Sequence, residues 1–202
     1  QLKKPKQRQK SQKRMEKLDL EKQLKEVEKE QGIGSGGIFR FKEGDNKIRI
    51  LELYLTHPLA TLFLGNKPYP CYGVEEGCYY HGEHAPTGDD GEPKAASIKF
   101  LAYVTNMKDV KLHVQRADLV YTIVKKIVSL QKDDDYTFNG FPMPYDLKIN
   151  YSKKRAGAAM YEIIPSPKAE EVPEYVLEEL AKKKPLAQVV QDEMNRGKNM
   201  ED

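Results

Sequence analysis

The chain has 202 residues, 39% hydrophobic and 32% charged, with a formal net charge of +3. One domain with extensions, or two small domains, fits that length, and a core of about 130 residues can bury its own apolar centre. No apolar run approaches the ~20 residues of a membrane span, no secretory signal is expected at the start, and two cysteines are too few for a disulfide scaffold. A soluble protein of a reducing cytosol is therefore the expectation.

Residues 1–31 carry eleven Lys or Arg against six Asp or Glu, so the rest of the chain is slightly acidic. Any anionic polymer must then be held by local patches, not by a basic body. Residues 1–17, QLKKPKQRQKSQKRMEK, cannot bury a core and are expected to be disordered or helical only on binding. They suit a basic arm or a solvated tail. Over residues 16–31, Leu18, Leu20, Leu24 and Val27 recur at near-helical spacing, which predicts an amphipathic helix able to pack on the domain or on a second copy. GIGSGG, residues 32–37, is a hinge and closes a first region, 1–37.

The body, residues 38–167, begins with two predicted antiparallel strands, IFRF and KIRILELY, joined by EGDN turn chemistry. Alternation puts Ile48 and Ile50 inward and Lys47 and Arg49 outward.

His57 to His84 holds both cysteines and three of the four histidines. The order is His57, thirteen residues, Cys71, six, Cys78, two, His81, two, His84. Zinc takes four Cys or His ligands in a tetrahedron, and so long a connection without a clear strand or helix pattern needs a staple. The segment is read as a lobe, 57–84, with a structural zinc site of His57, Cys71, Cys78 and His81, and His84 as the competing fourth ligand. The same residues could also share an ordinary Tyr- and Pro-rich loop and bind nothing.

Ile98–Thr105 is a predicted strand with a hairpin partner over Val110–Gln115. From Asp118, read as an N-cap, a broad apolar face at 3.6 spacing predicts a helix. Tyr145–Tyr151 alternates as a strand, SKKRAGA is a basic turn, and MYEIIP returns until Pro165 and Pro167 stop it. Helical stretches follow Pro173 and Pro185 in a third region, 168–202. Five or six short strands with one helix between them predict a mainly β fold with α. The architecture expected is an OB-type five-stranded barrel carrying an inserted zinc lobe and flanking helices, a mixed sheet being the alternative.

No phosphate loop, dinucleotide fingerprint or GxSxG is present, so no enzyme is expected. Asp133 to Asp135 read as a solvated acidic loop before a nuclease metal site, and His113 has no evident partner. What recurs is basic residues interleaved with aromatics on strands and turns. Single strands are held by such a surface: cations track phosphates and rings stack on bases.

FKEGDNKIRILE, a His, a Cys…Cys-x2-ligand cluster, KFLAYVTN and YDLKINYSKKRAG…MYEIIP together resemble the single-stranded-DNA-binding, helix-destabilising proteins of T-even bacteriophages, over about residues 38–167. In that family a zinc lobe interrupts an OB-fold, its ligands being one His and then three Cys, the last two in C-x2-C spacing. His57, Cys71 and Cys78 match in order, and a histidine replaces the last Cys. The resemblance implies sequence-independent binding of single-stranded DNA in phage replication, recombination or repair, in the host-cell cytoplasm. The expected phosphate contacts are Lys47, Arg49, Lys99, Lys148, Lys153, Lys154 and Arg155, with Tyr72, Tyr80 and Tyr103 as stacking candidates. It also implies self-association through the N-terminal segment, residues 1–31 here, and an acidic tail that recruits replication or recombination proteins, although this chain ends in MED. A protein-interaction scaffold and an RNA-binding zinc protein are the alternatives.

Overall fold

A computed structural model describes residues 37–64, 67–71, 78, 87, 91–92 and 96–199, apart from the side chains of Leu64, Lys67 and Ala169. The described strands are β1 (Ile38–Phe39), β2 (Gly44–Leu53), β3 (Leu59–Leu64), β4 (Lys67–Cys71), β5 (Ser97–Asn106), β6 (Gln115–Val120), β7 (Tyr145–Tyr151) and β8 (Tyr161–Ala169). Helix α1 (Tyr121–Gln131) stands between β6 and β7, and α2 (Glu174–Ala181) and α3 (Leu186–Lys198) follow β8. Among the described residues the protein is thus mainly β with α, and no helix is long and apolar enough to cross a membrane.

Hydrogen bonding orders the sheet β1-β6-β5-β2-β7-β8, with β3 paired to β5 and β4 hung on β3. Every pairing is antiparallel except β1 with β6. The two ends of the order, β1 and β8, are not hydrogen-bonded to each other.

The central strands are buried on both sides. On one face Ile48 and Ile50 of β2 join Ala102 and Val104 of β5, Ala117 and Leu119 of β6, and Leu147 and Ile149 of β7. Helix α1 closes this cluster with Ile123, Val124, Ile127 and Leu130, the stripe expected of a 3.6 period. On the other face Leu51, Leu101 and Tyr103 pack against Val176 of α2 and Leu186 and Val190 of α3. Strands covered on both faces lose the alternation of a half-buried sheet, and all five residues from Leu101 to Thr105 are buried.

Several expectations are corrected. The first two strands do not form a hairpin: β1 instead pairs in parallel with β6, Ile38 opposite Arg116 and Phe39 opposite Ala117. The chain between them is held open by Asn46, whose Oδ1 accepts from Lys42 N at 2.9 Å and whose Nδ2 donates to Lys42 O at 2.8 Å. Gly44, at φ 88°, takes the left-handed bend.

The segment read as lacking strands contains the β3–β4 hairpin. Pro68 and Pro70 disguise β4, yet among the described residues β4 pairs only with β3, and an edge position tolerates missing N–H groups. The same reason lets β8, an edge strand, run past Pro165 and Pro167. The partner of β5 lies at Gln115–Val120, not Val110–Gln115, and Asp118 sits in that strand instead of capping the helix. The helix starts after Val120 without a side-chain cap.

Arg49, expected to face outward, is buried at 1% exposure. Its Nε donates to Asp146 Oδ1 at 2.5 Å, and Lys47 Nζ lies 2.9 Å from Asp146 Oδ2. Removing one partner of a buried ion pair strands the other charge. Asp146→Ala should therefore cost about 3–5 kcal/mol in urea unfolding, and a loss below about 1 kcal/mol would show that Arg49 finds other acceptors.

Candidate nucleic-acid interface

A groove of about 620 Å³ runs along the face of β5 and β6 that is turned away from α1. Period-two alternation sets its floor: Lys99 of β5, with Arg116, Asp118 and Val120 of β6, share the face opposite Phe100, Ala117 and Leu119. One wall is the β1 segment with Ile38, Phe39, Arg40 and Phe41. The other is the β3–β4 hairpin, which presents Leu59, Thr61, Phe63, Pro68 and Pro70. Tyr151 and Tyr161 line it from β7 and β8, and α3 contributes Glu193 and Arg196.

Four rings form a continuous series there. Phe39 meets Phe41 edge-on at 5.2 Å, Phe41 meets Tyr161 at 5.7 Å, and Tyr161 stacks on Tyr151 at 5.1 Å with an interplanar angle of 25°. The first two contacts are T-shaped and only the last is face-to-face, so Tyr151–Tyr161 is the pair whose geometry suits a further stacked ring. Burial, then the neighbouring Tyr151, raises the Tyr161 phenol pKa, so it stays a neutral ring.

The groove's charge is mixed but positive, with four cations against two carboxylates. Arg116 Nε donates to Asp118 Oδ1 and its Nη1 to Glu193 Oε1, each at 3.0 Å. Burial works against the charge on Arg116, but Asp118 and Glu193 outweigh it and the pKa rises. Arg196 Nη2 lies 2.6 Å from Glu193 Oε2, near enough for attraction though not aligned as a hydrogen bond. Arg40 and Lys99 make no ion pair among the described residues, so they are the cations open to a phosphate.

Of the residues singled out from sequence, Lys99 is in this groove. Lys153, Lys154 and Arg155 are exposed in the turn that leaves the sheet just after Tyr151. Glu43 clamps that turn: its Oε1 accepts from Ser152 Oγ at 2.9 Å and its Oε2 from Lys153 N at 3.0 Å.

The others lie apart from the groove. Lys47 and Lys148 face each other across the β2–β7 ladder and are tied to Asp146 and Asp45. Arg49 is buried, and so is Tyr103, whose OH donates to Lys184 O at 2.6 Å beneath the C-terminal helices. Tyr72 and Tyr80 lie outside the described residues. Sequence reasoning did not single out the Tyr151–Tyr161 ring pair, although Tyr161 also packs against the core. The available signal was two tyrosines flanking a basic turn.

For the metal, Cys71 and Cys78 are both thiols, buried in one cluster with Leu62 and Tyr69. Two sulfur donors in one apolar site fit half of a zinc centre. His57 is exposed in the turn before β3, and among the described residues no three His, Cys, Asp or Glu gather as a metal site. His81 and His84 lie outside the described residues.

Comparison of the chain with family models, with curated proteins and with solved structures yields no match.

The clamp on the basic turn has a pH signature. Hydrogen bonds from the Lys153 backbone, then from Ser152, lower the Glu43 pKa from its ordinary 4.5. A lowered carboxylate pKa adds stability above the ordinary value, and that contribution is lost as pH falls through the folded value. The Lys153 amide resonance should therefore stay fixed at neutral pH and move with a midpoint below 4.5. A midpoint above it, or the same titration in Glu43→Gln, would contradict the clamp.

Proposed function

We propose that this protein binds single-stranded DNA without sequence preference, as a non-enzymatic component of phage replication, recombination or repair in the host-cell cytoplasm. The observation that carries the proposal is the groove itself, where a face-to-face tyrosine pair and cations without an ion pair among the described residues share one channel. Bases need a ring to stack on and phosphates need a cation, and both must occur along one path. Arg40 and Lys99 contact phosphates, Tyr151 and Tyr161 receive bases, and the Lys153–Arg155 turn extends the basic track beyond them.

The strand order supports the finer fold assignment. Strands β2, β5, β6, β7 and β8 supply the five strands of a partly open OB barrel, with α1 between the third and fourth. Its opening lies between β6 and β8. In this fold oligonucleotides bind across the second and third strands and at the loops after the first and fourth. Those correspond here to the β5–β6 face and the β3–β4 insertion, which line the groove, and to the Lys153–Arg155 turn that follows Tyr151. Within the insertion, Cys71 and Cys78 hold a structural zinc together with histidines of the 57–84 segment. The ion's contribution is to cross-link the chain there.

Titration with an oligo-dT at two salt concentrations tests the binding mode. Affinity should fall with a log–log slope of about −0.7 per phosphate contact, and Arg40→Ala and Lys99→Ala should each reduce that slope by about one contact. Tyr161→Ala should cost about 1–3 kcal/mol of binding. Glu193→Gln, which removes a carboxylate from beside Arg116 and Arg196, should tighten it. Affinity indifferent to salt would refute the groove.

The zinc is tested separately. Purified protein should carry about one zinc per chain, and chelation or Cys78→Ser should remove it and lower the melting temperature. A metal-free preparation whose melting is unmoved by chelator would remove the ion from the proposal while leaving the groove standing.

A further inference from the structure

A second cavity, of about 600 Å³, lies on other residues altogether. Its lining shares none with the groove described above. Pro142, Met143, Pro144, Val172 and Leu177 make its apolar walls, Glu170 and Glu171 stand at its margin, and Arg49 completes the lining. Leu177, in that lining, is 40% exposed.

The guanidinium of Arg49 lies against the backbone of the cavity's lining. Its Nη1 donates to Glu170 O at 2.6 Å and, more weakly, to Met143 O at 3.4 Å, the backbones of two lining residues. Nε is taken by Asp146. Among the described residues Nη2 is buried with no acceptor. Arginine has five donors in a fixed fork, and a buried one without a partner is unfavourable enough to require a reason.

The chemistry of an occupant follows from these three features. Proline, methionine, valine and leucine walls select an aliphatic side chain. The unmatched N–H selects an acceptor. The two glutamates disfavour a carboxylate or phosphate as that acceptor, and leave a neutral carbonyl; they favour a cation next to it. A peptide offers all three together: an aliphatic side chain, a backbone carbonyl and a flanking lysine or arginine.

We propose that this cavity is a docking site for a basic, aliphatic peptide segment of a partner protein. Because its residues are distinct from the nucleic-acid groove, the two can be occupied at once. The proposal does not depend on what the groove binds.

The full chain, isotope-labelled for NMR and titrated with a short fluorescein-labelled peptide of alternating leucine and lysine, tests it. Binding should shift the Arg49 NεH resonance together with the amides of residues 143 and 170–177, and oligo-dT should not displace the peptide. Leu177→Ser, at an exposed position that leaves the core intact, should weaken the peptide about tenfold, and so should Glu171→Gln together with raised salt. Both variants should keep wild-type melting and oligo-dT affinity. The proposal is overturned if a leucine–glutamate peptide binds equally well, if Leu177→Ser and Glu171→Gln leave peptide affinity unchanged, or if the shifts fall outside this cavity.

Discussion

Burial of the β2–β5 pair on both faces is the constraint that the rest of the structure obeys. Ile50 and Val104 turn toward α1, while Leu51, Leu101 and Tyr103 turn toward α2 and α3. Backbone in this position can bond only along the sheet, and its side chains can be satisfied only by a layer on each side. The C-terminal helices are therefore structural: without them one face of the central strands would be open to water. They also occupy the face on which Tyr103 lies, so a nucleic-acid surface across the middle of the sheet is not available. The groove is left at the margin, where β1, β6 and the β3–β4 hairpin meet.

The same constraint explains Arg49. A cation on a strand that is covered from both sides must take its counter-charge inside with it, and Asp146 supplies that from the neighbouring strand. Burying such a pair contributes little net stability, because desolvation offsets the attraction. Its value lies in register. Arg49 and Asp146 meet only when β2 and β7 are aligned with Lys47 opposite Lys148 and Ile48 opposite Leu147, and a shift by one residue would leave both charges buried alone.

Electrostatics in the groove are shaped by the same economy of partners. Arg116 is held by Asp118 and Glu193 and is not free to reach outward, whereas Arg40 and Lys99 make no ion pair among the described residues. Counting basic residues in the sequence therefore overstates how many cations lack a counter-charge. What matters is which cations lack a neighbouring carboxylate, and that depends on strand pairing and on where α3 lies.

Much of the element pattern was legible in the chain itself. The alternation in β7, the apolar run of β5 and the 3.6 spacing of α1 are local signals, set by which residues share a face of a strand or helix. The basic turn after Tyr151 was legible as local turn chemistry between two alternating segments. Prolines hid β4 and the end of β8, because an edge strand tolerates them and nothing local says which strand will be an edge. Lys47 and Arg49 occupy equivalent positions in a period-two pattern, yet one is part-exposed and the other sealed. Alternation tells which residues share a face; it does not tell what will cover that face. That was decided by distant segments, β7 and the stretch around Glu170 for Arg49, and α3 for Tyr103. Only the packing of residues far apart in the chain could turn a list of cations and rings into a groove with a floor and two walls.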